Sequence, residues 1–308
     1  MDLGFVGTGT MGTPMVRCLI EAGHRLTVHD VRREATAAVC ALGAGWADDA
    51  RAVARASAVV FTSLPGPAEV ETVVLDPEHG VLAGLEAGRA YVDMTTNAPS
   101  VVRRIAETCR QRGVDMLDAP VSGRPPGMTI MVGGDAGTFE RHRALFDAMG
   151  QNVFHVGPIG AGCVAKLVTQ YLGYANLITS IEGMLIGAKA GLDLATLARI
   201  VPVSAGASRT FDNIPRGVFP GTFSAGGTLD IVAKDVHLAC ELAREVGAPA
   251  HIGLVADDMY RRAQARGWGQ EGLSVVARVL EAMAGVELRA RVTDAPTYQA
   301  ADPRRMST

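Results

Sequence analysis

The sequence predicts an α/β Rossmann-type doubly wound sheet followed by an all-α C-terminal domain. Three observations predict it. Short apolar runs alternate with helical patterns up to about residue 157. A Gly-x-Gly-x-x-Gly turn joins the first apolar run to the first helical pattern. Beyond about residue 160 the strand-like alternation stops and helical periodicity takes over.

The elements follow in order. Residues 3–6 form a strand, 11–22 a helix, 26–29 a second strand and 33–42 a helix. Further strands fall at 58–63, 90–94 and 116–117, with a helix over 98–112 between the last two. Strands at 129–132 and 153–156 flank a helix over 136–149. Such alternation implies parallel βαβ units with both sheet faces covered. Helical patterns then run over 162–190, 193–203, 228–246, 251–266 and 270–284. The expected division is 1–160 for the dinucleotide-binding domain, 161–190 for a long interdomain helix, 191–288 for the helical domain and 289–308 for a flexible tail. Ser180, Gly183, Gly187 and Gly191 make a small-residue stripe on the long helix. Interior glycine costs a helix up to ~1 kcal/mol relative to alanine, so the stripe implies close approach of another helix, from this chain or a second copy.

Composition narrows the function classes. The 308 residues are 48% hydrophobic and 20% charged, which excludes intrinsic disorder. A net charge of −3 provides no basic field for nucleic acid or an anionic membrane. The apolar stretch 171–191 contains Glu182 and Lys189 and reads as a buried helix, not a membrane span. Five scattered cysteines with no CxxC pair read as reduced thiols of a cytoplasmic protein, and no metal site is expected. The first six residues lack a basic region and a long apolar run, so no secretory leader is expected. The 36 glycines exceed the usual share and show no collagen period.

Part of that excess is chemical. In Gly7-Thr8-Gly9-Thr10-Met11-Gly12 the first glycine permits the tight turn, the second lets backbone approach a pyrophosphate and the third lets helix and strand pack closely. The diphosphate then lies at the positive end of the helix dipole. Asp30 ends the second strand, 23 residues past Gly7, where a carboxylate accepts from the adenosine ribose hydroxyls and repels a 2′-phosphate. This favours NAD over NADP, although Arg32 and Arg33 offer an alternative seat for a 2′-phosphate.

Four motifs, in this order and spacing, resemble the β-hydroxyacid dehydrogenases, the group of 3-hydroxyisobutyrate dehydrogenase and tartronate semialdehyde reductase, more distantly 6-phosphogluconate dehydrogenase. They are Gly4 to Gly12, Asp118-Ala119-Pro120-Val121-Ser122-Gly123, Gly160-Ala161-Gly162-Cys163-Val164-Ala165-Lys166, and Lys234-Asp235, and the resemblance covers about residues 3–285. It implies a Rossmann domain, a long helix and an all-α domain with the active site between domains. It implies that Leu64 and Pro65 line the nicotinamide side, that Thr96 is a cofactor-contacting hydroxyl and that Lys234 reaches the nicotinamide. Read alone, Thr96 is equally a helix N-cap ahead of Pro99. Lys234 alone reads as an exposed helix lysine paired with Asp235 or Glu241.

Hydride transfer at an alcohol carbon also moves the hydroxyl proton, so a general acid/base must reach that oxygen. The resemblance gives this role to Lys166, which alone would read as a solvated surface charge; burial beside apolar surface lowers a lysine pKa toward working pH. Ser122 and Gly123 match the family's substrate-carboxylate site, a hydroxyl and a backbone N–H suited to an anion. Three departures fall on the substrate side. The loop after Gly123 is roughly five residues short and places Arg124 where the family has another glycine. Thr169, followed by Gln170, replaces the family's asparagine three residues after the lysine. Gly227 stands where a phenylalanine is common. Arg124 as a bidentate anion clamp, with Thr169 and Gln170 as further substrate contacts, points to a substrate larger than hydroxyisobutyrate or carrying a second polar or anionic group; the alternative is an Arg124 that points to solvent from a loop that is simply trimmed.

The expected function is NAD(P)-dependent interconversion of a β-hydroxy acid and its semialdehyde or keto acid. The partners expected are that small molecule and further copies of the chain, a homodimer or homotetramer through the helical domain, with no nucleic acid and no membrane. The competing readings are an imine reductase of the same architecture and a non-catalytic nucleotide-binding protein.

Overall fold

The computed structural model describes residues 1–224 and 226–292. It comprises two compact units, 1–167 and 168–308. The division falls inside one continuous helix rather than at residue 160.

The first unit contains β1 (Asp2–Val6), α1 (Gly12–Glu21), β2 (Arg25–His29), α2 (Ala37–Cys40), β3 (Gly45–Trp46), α3 (Ala50–Arg55), β4 (Val59–Thr62), α4 (Pro67–Leu75), α5 (Val81–Gly84), β5 (Ala90–Asp93), α6 (Pro99–Gln111), β6 (Asp115–Asp118), β7 (Val121–Ser122), β8 (Thr129–Gly134), α7 (Ala136–Met149) and β9 (Asn152–Gly157). The sheet order is β3-β2-β1-β4-β5-β6-β8-β7, with β9 also paired to β8. The first six strands in that order are mutually parallel. β8 runs antiparallel to β6 and β7 and parallel to β9.

Strand periodicity sends alternate residues to opposite faces. Phe5, Val59 and Phe61 pack with Met15 and Leu19 of α1 and Phe139 and Phe146 of α7. Their neighbours Val6 and Val60 pack with Val53, Val70, Val102 and Ile105 on the other face. Helices therefore cover both faces, which is why these strands are apolar throughout.

The expected helix over 33–42 is instead a 3₁₀ turn, Arg33–Thr36, followed by the single turn of α2. Gly43, with a φ of 102°, ends it. The short elements β3, β7, α3, α4 and α5 were not anticipated.

The long helix α8 (Ala161–Lys189) continues into the second unit, which adds α9 (Leu194–Ile200), α10 (Leu229–Glu245), α11 (His251–Gln264) and α12 (Ala277–Ala284), with 3₁₀ and π turns in the long connection between α9 and α10 and a 3₁₀ turn before α12. Its core joins Leu177, Ile181 and Met184 of α8 to Val232 and Val236 of α10, Tyr260 of α11 and Val279 of α12. α8 is not buried all round: Val168, Leu172 and Ile186 are exposed. No helix among the described residues is long and apolar enough to cross a membrane.

The small-residue stripe divides by role. A side chain on Gly187 would collide with Leu197 of α9, so this glycine does permit a close approach. Gly191, at φ 82°, is the left-handed residue after the helix. Nothing lies within 4 Å of a Cβ built on Gly183. The expected flexible tail from 289 lies outside the described residues from 293 onward. Its first residue is anchored: Arg289 donates to buried Glu281 at 2.6 Å, and its guanidinium lies 5.2 Å from the Phe223 ring centre.

Candidate active site

The Gly7–Gly12 turn connects β1 to α1, as its spacing requires. Gly7 has a φ of 93°, and a Cβ there would strike the Ser63 carbonyl. A Cβ on Gly12 would strike the Gly7 carbonyl. Gly9 is different, since nothing lies within 4 Å of its Cβ direction. No side chain caps α1, and its first turn carries no acid. The Thr8 Oγ1 is buried without a partner. An uncapped helix start, an open backbone position and an orphaned hydroxyl together fit a bound pyrophosphate.

Asp30, 9% exposed, follows β2. Its carboxylate accepts from the Thr8 N–H at 2.9 Å and the Arg32 N–H at 3.0 Å. It therefore braces the glycine turn, a role the spacing did not reveal. Arg32 and Arg33 are exposed, and the Arg33 guanidinium lies 5.4 Å from the Trp46 ring centre.

The carboxyl ends of β4 and β5 carry the next pieces. The Leu64 N–H donates to Thr95 Oγ1 at 3.0 Å, tying the Leu64-Pro65 loop to the 94–97 loop. Fully buried Asp93 organises that second loop. It accepts from Thr62 Oγ1 at 3.0 Å, the Thr95 N–H at 3.0 Å and Asn97 Nδ2 at 2.9 Å. Burial raises its carboxyl pKa and that of the neighbouring Tyr91 phenol. Thr96 is half-buried on this loop. It is not the N-cap of α6; Ala98 holds that place, without a side-chain cap.

Asp118 ends β6, directly paired with Asp93 across the parallel ladder. It accepts from the Gly160 and Cys163 N–H groups at 2.7 Å each. Beyond it, Ser122 pairs with Thr129 in the short β7–β8 ladder. Gly123 turns at a φ of 79°, and Arg124 is exposed on the loop that follows. Lys166, only 6% exposed, sits one turn after Cys163 in α8. The surface-charge alternative for this lysine does not hold. The glycine turn, Asp30, Leu64, Pro65, Thr96, Ser122 to Arg124 and Lys166 all belong to the first unit.

Thr169, Gln170 and Lys234 belong to the second. Thr169 is exposed. Gln170 Nε2 donates to the Tyr174 hydroxyl at 2.8 Å and to Asp235 Oδ2 at 2.6 Å. Both amide hydrogens are thus committed within the helical unit, and a ligand contact falls to its carbonyl oxygen. Lys234 Nζ lies 2.9 Å from Asp235 Oδ1, the pairing that one alternative predicts, but its side chain is only 25% exposed and not the open surface lysine of that reading. A side chain on Gly227 would meet nothing within 4 Å.

Comparison with known proteins agrees with these motifs. The NAD-binding domain of 6-phosphogluconate dehydrogenase matches residues 2–157, and the NAD-binding domain of NADP-dependent 3-hydroxyisobutyrate dehydrogenase matches 160–280. The chain is 35% identical to 2-(hydroxymethyl)glutarate dehydrogenase of Eubacterium barkeri, covering 94% of this chain and 97% of that one. It is 36% identical to the NAD-dependent L-serine dehydrogenase of Pseudomonas aeruginosa, covering 92% and 99%. The solved structure of Mycobacterium tuberculosis 3-hydroxyisobutyrate dehydrogenase with L-serine superposes with a TM-score of 0.82 at 27% identity, over 91% of this chain and 98% of that one. An imine reductase from Myxococcus stipitatus superposes at 0.62 with 21% identity, a likeness of fold alone. The chain belongs to the β-hydroxyacid dehydrogenase family, NAD(P)-dependent oxidoreductases acting on the CH–OH group of hydroxy acids.

Proposed function

We propose that this enzyme oxidises, or forms by reduction, a 3-hydroxy acid carrying a second polar or charged group, with NAD as the favoured cofactor and Lys166 as the general acid/base. The observation that carries the proton-transfer role is the burial of Lys166 (6% exposed) one turn into α8, where a lysine without a task would be costly.

The nicotinamide, when bound, supplies or accepts the hydride. In oxidation neutral Lys166 takes the hydroxyl proton of the substrate; in reduction its ammonium returns that proton to the oxygen. Ser122 and the Gly123 N–H hold the substrate carboxylate, and exposed Arg124 pairs with the second group. One relative supports that second group: it is named for 2-(hydroxymethyl)glutarate, which has two carboxylates. The dinucleotide lies along Gly7 to Gly12, Leu64, Pro65 and Thr96, with Asp30 toward the adenosine ribose. The buried Asp30 carboxylate supports NAD, since a 2′-phosphate beside it would be repelled. Thr169 and Gln170 toward substrate, and Lys234 toward the nicotinamide, are assigned by the family motif.

Exposed Val168, Leu172 and Ile186, with open space over Gly183, support a homodimer or homotetramer through the helical unit, which light scattering after size exclusion would weigh. Five free cysteines support a reducing cytoplasmic location. The functional test is a panel of 3-hydroxy acids, singly and doubly charged, with NAD and NADP side by side at the nicotinamide absorbance. Turnover is expected to be fastest with NAD and a doubly charged substrate. Equal rates with both cofactors, or preference for an apolar hydroxy acid, would overturn the finer assignments.

A further inference from the structure

Helix α8 does not take its start from its own sequence. Its first free N–H groups, of Gly160 and Cys163, donate to a carboxylate 42 and 45 residues earlier in the chain, Asp118 at the end of β6, at 2.7 Å each. One oxygen serves each donor, so the carboxylate is a two-point clamp, not a single cap. Asp118 is fully buried.

Two glycines make that clamp possible. A Cβ on Gly133 of β8 would press on the Asp118 Oδ1 and fall 2.7 Å from the Gly162 N. One on Gly162 would fall 2.6 Å from the Asp118 carbonyl and 2.9 Å from its Oδ2. Strand, helix start and carboxylate thus meet without side chains between them. Burial raises the carboxyl pKa of Asp118, the first cause, against the lowering effect of its two backbone donors. Burial and then the Asp118 charge push the Cys163 thiol well up, which keeps it protonated beside the carboxylate. Lys166 follows Cys163 by three residues, one turn along the same face of the helix.

We propose that Asp118 is a positioning residue for Lys166: its carboxylate sets where α8 begins, and hence where the lysine amine is delivered. This rests on the acid/base reading of Lys166. A displacement of about 1 Å at a reacting group can cost ~100-fold in rate, so loosening the clamp is expected to lower kcat without weakening dinucleotide binding.

The test is a double-mutant cycle between Asp118→Asn and Lys166→Ala, with turnover normalised to dinucleotide-binding sites. Asparagine keeps the shape but opposes an amide NH₂ to one of the two N–H donors. Asp118→Asn alone is expected to lower kcat about 10- to 100-fold with the dinucleotide Kd within about threefold. In the Lys166→Ala background it is expected to change kcat less than about twofold, because the residue it positions is gone. Equal losses in both backgrounds, or no loss in the wild-type background, would overturn the positioning role while leaving Lys166 as acid/base. Near-normal turnover of Lys166→Ala alone would overturn the acid/base reading and this inference with it. If Asp118→Asn does not fold, Asp118→Glu, which keeps both acceptors one methylene farther out, takes its place in the cycle with the same two outcomes.

Discussion

Each unit buries a carboxylate close to the proposed site residues, and the two are held differently. Asp118 in the sheet unit accepts from two backbone N–H groups, with the Cys163 thiol as a further donor. Asp235 in the helical unit, 1% exposed, is met by side chains: its Oδ2 accepts from the Gln170 amide at 2.6 Å, and its Oδ1 is ion-paired with the Lys234 ammonium at 2.9 Å. Backbone donors are present whatever residue supplies them, so the first arrangement demands only one aspartate and glycines that let backbone come close. The second demands particular side chains on two helices. Asp93 follows the first pattern in part, combining the Thr95 N–H with Thr62 and Asn97. The sheet unit therefore holds its loops by backbone geometry, and the helical unit holds its polar face by matched side chains.

That contrast can be broken by mutation. The largest stability effect is expected at Asp93. Asp93→Ala strands three donors in a dry site and should cost about 3–5 kcal/mol in urea unfolding, with weaker dinucleotide binding through the 94–97 loop. Gln170→Ala should cost less, about 1–3 kcal/mol, because Lys234 still faces Asp235. Its thermal midpoint should fall while dinucleotide affinity holds; a Gln170→Ala chain with unchanged stability would deny the side-chain arrangement any structural weight. Arg124 is exposed. Arg124→Ala should leave the melting temperature unchanged and raise KM about 10-fold for a doubly charged substrate, roughly 1.4 kcal/mol of lost binding. An unchanged KM would remove the anion clamp. The smallest effect is an absence of reaction. Burial pushes the Cys109 thiol to about 12 and the Cys163 thiol well up, so neither should be alkylated by iodoacetamide at pH 8 in the native enzyme. Alkylation of either in the folded state would contradict the dry interior of the sheet unit.

The same contrast explains what could be read from the sequence. The β1–turn–α1 unit and Asp30 were legible because glycine spacing and a strand-end carboxylate are local signals. The glycine motif ahead of Lys166 marked the start of α8. Asp118 opens a family motif and Asp93 lies on an expected strand, but neither shows a role in the sequence, since their partners come from loops that no local pattern ties to them. The available signal was an aspartate directly after a short apolar run, Ala90-Tyr91-Val92 before Asp93 and Met116-Leu117 before Asp118. The Gln170–Asp235 bond spans 65 residues between helices, and nothing in either helix announces it. Short elements escaped for a simpler reason: β3 and β7 have two residues each, too few for a period to register. The glycine stripe shows the limit of composition, because equal spacing hid three different environments at Gly183, Gly187 and Gly191.

The central claim is that Lys166 moves the substrate proton. The direct measurement is single-turnover hydride transfer by wild type and Lys166→Ala, with dinucleotide affinity measured on the same samples by fluorescence. The account predicts a loss of about 10²- to 10⁴-fold in the transfer rate with dinucleotide affinity preserved. Near-normal transfer by Lys166→Ala, with the dinucleotide still bound, would contradict it.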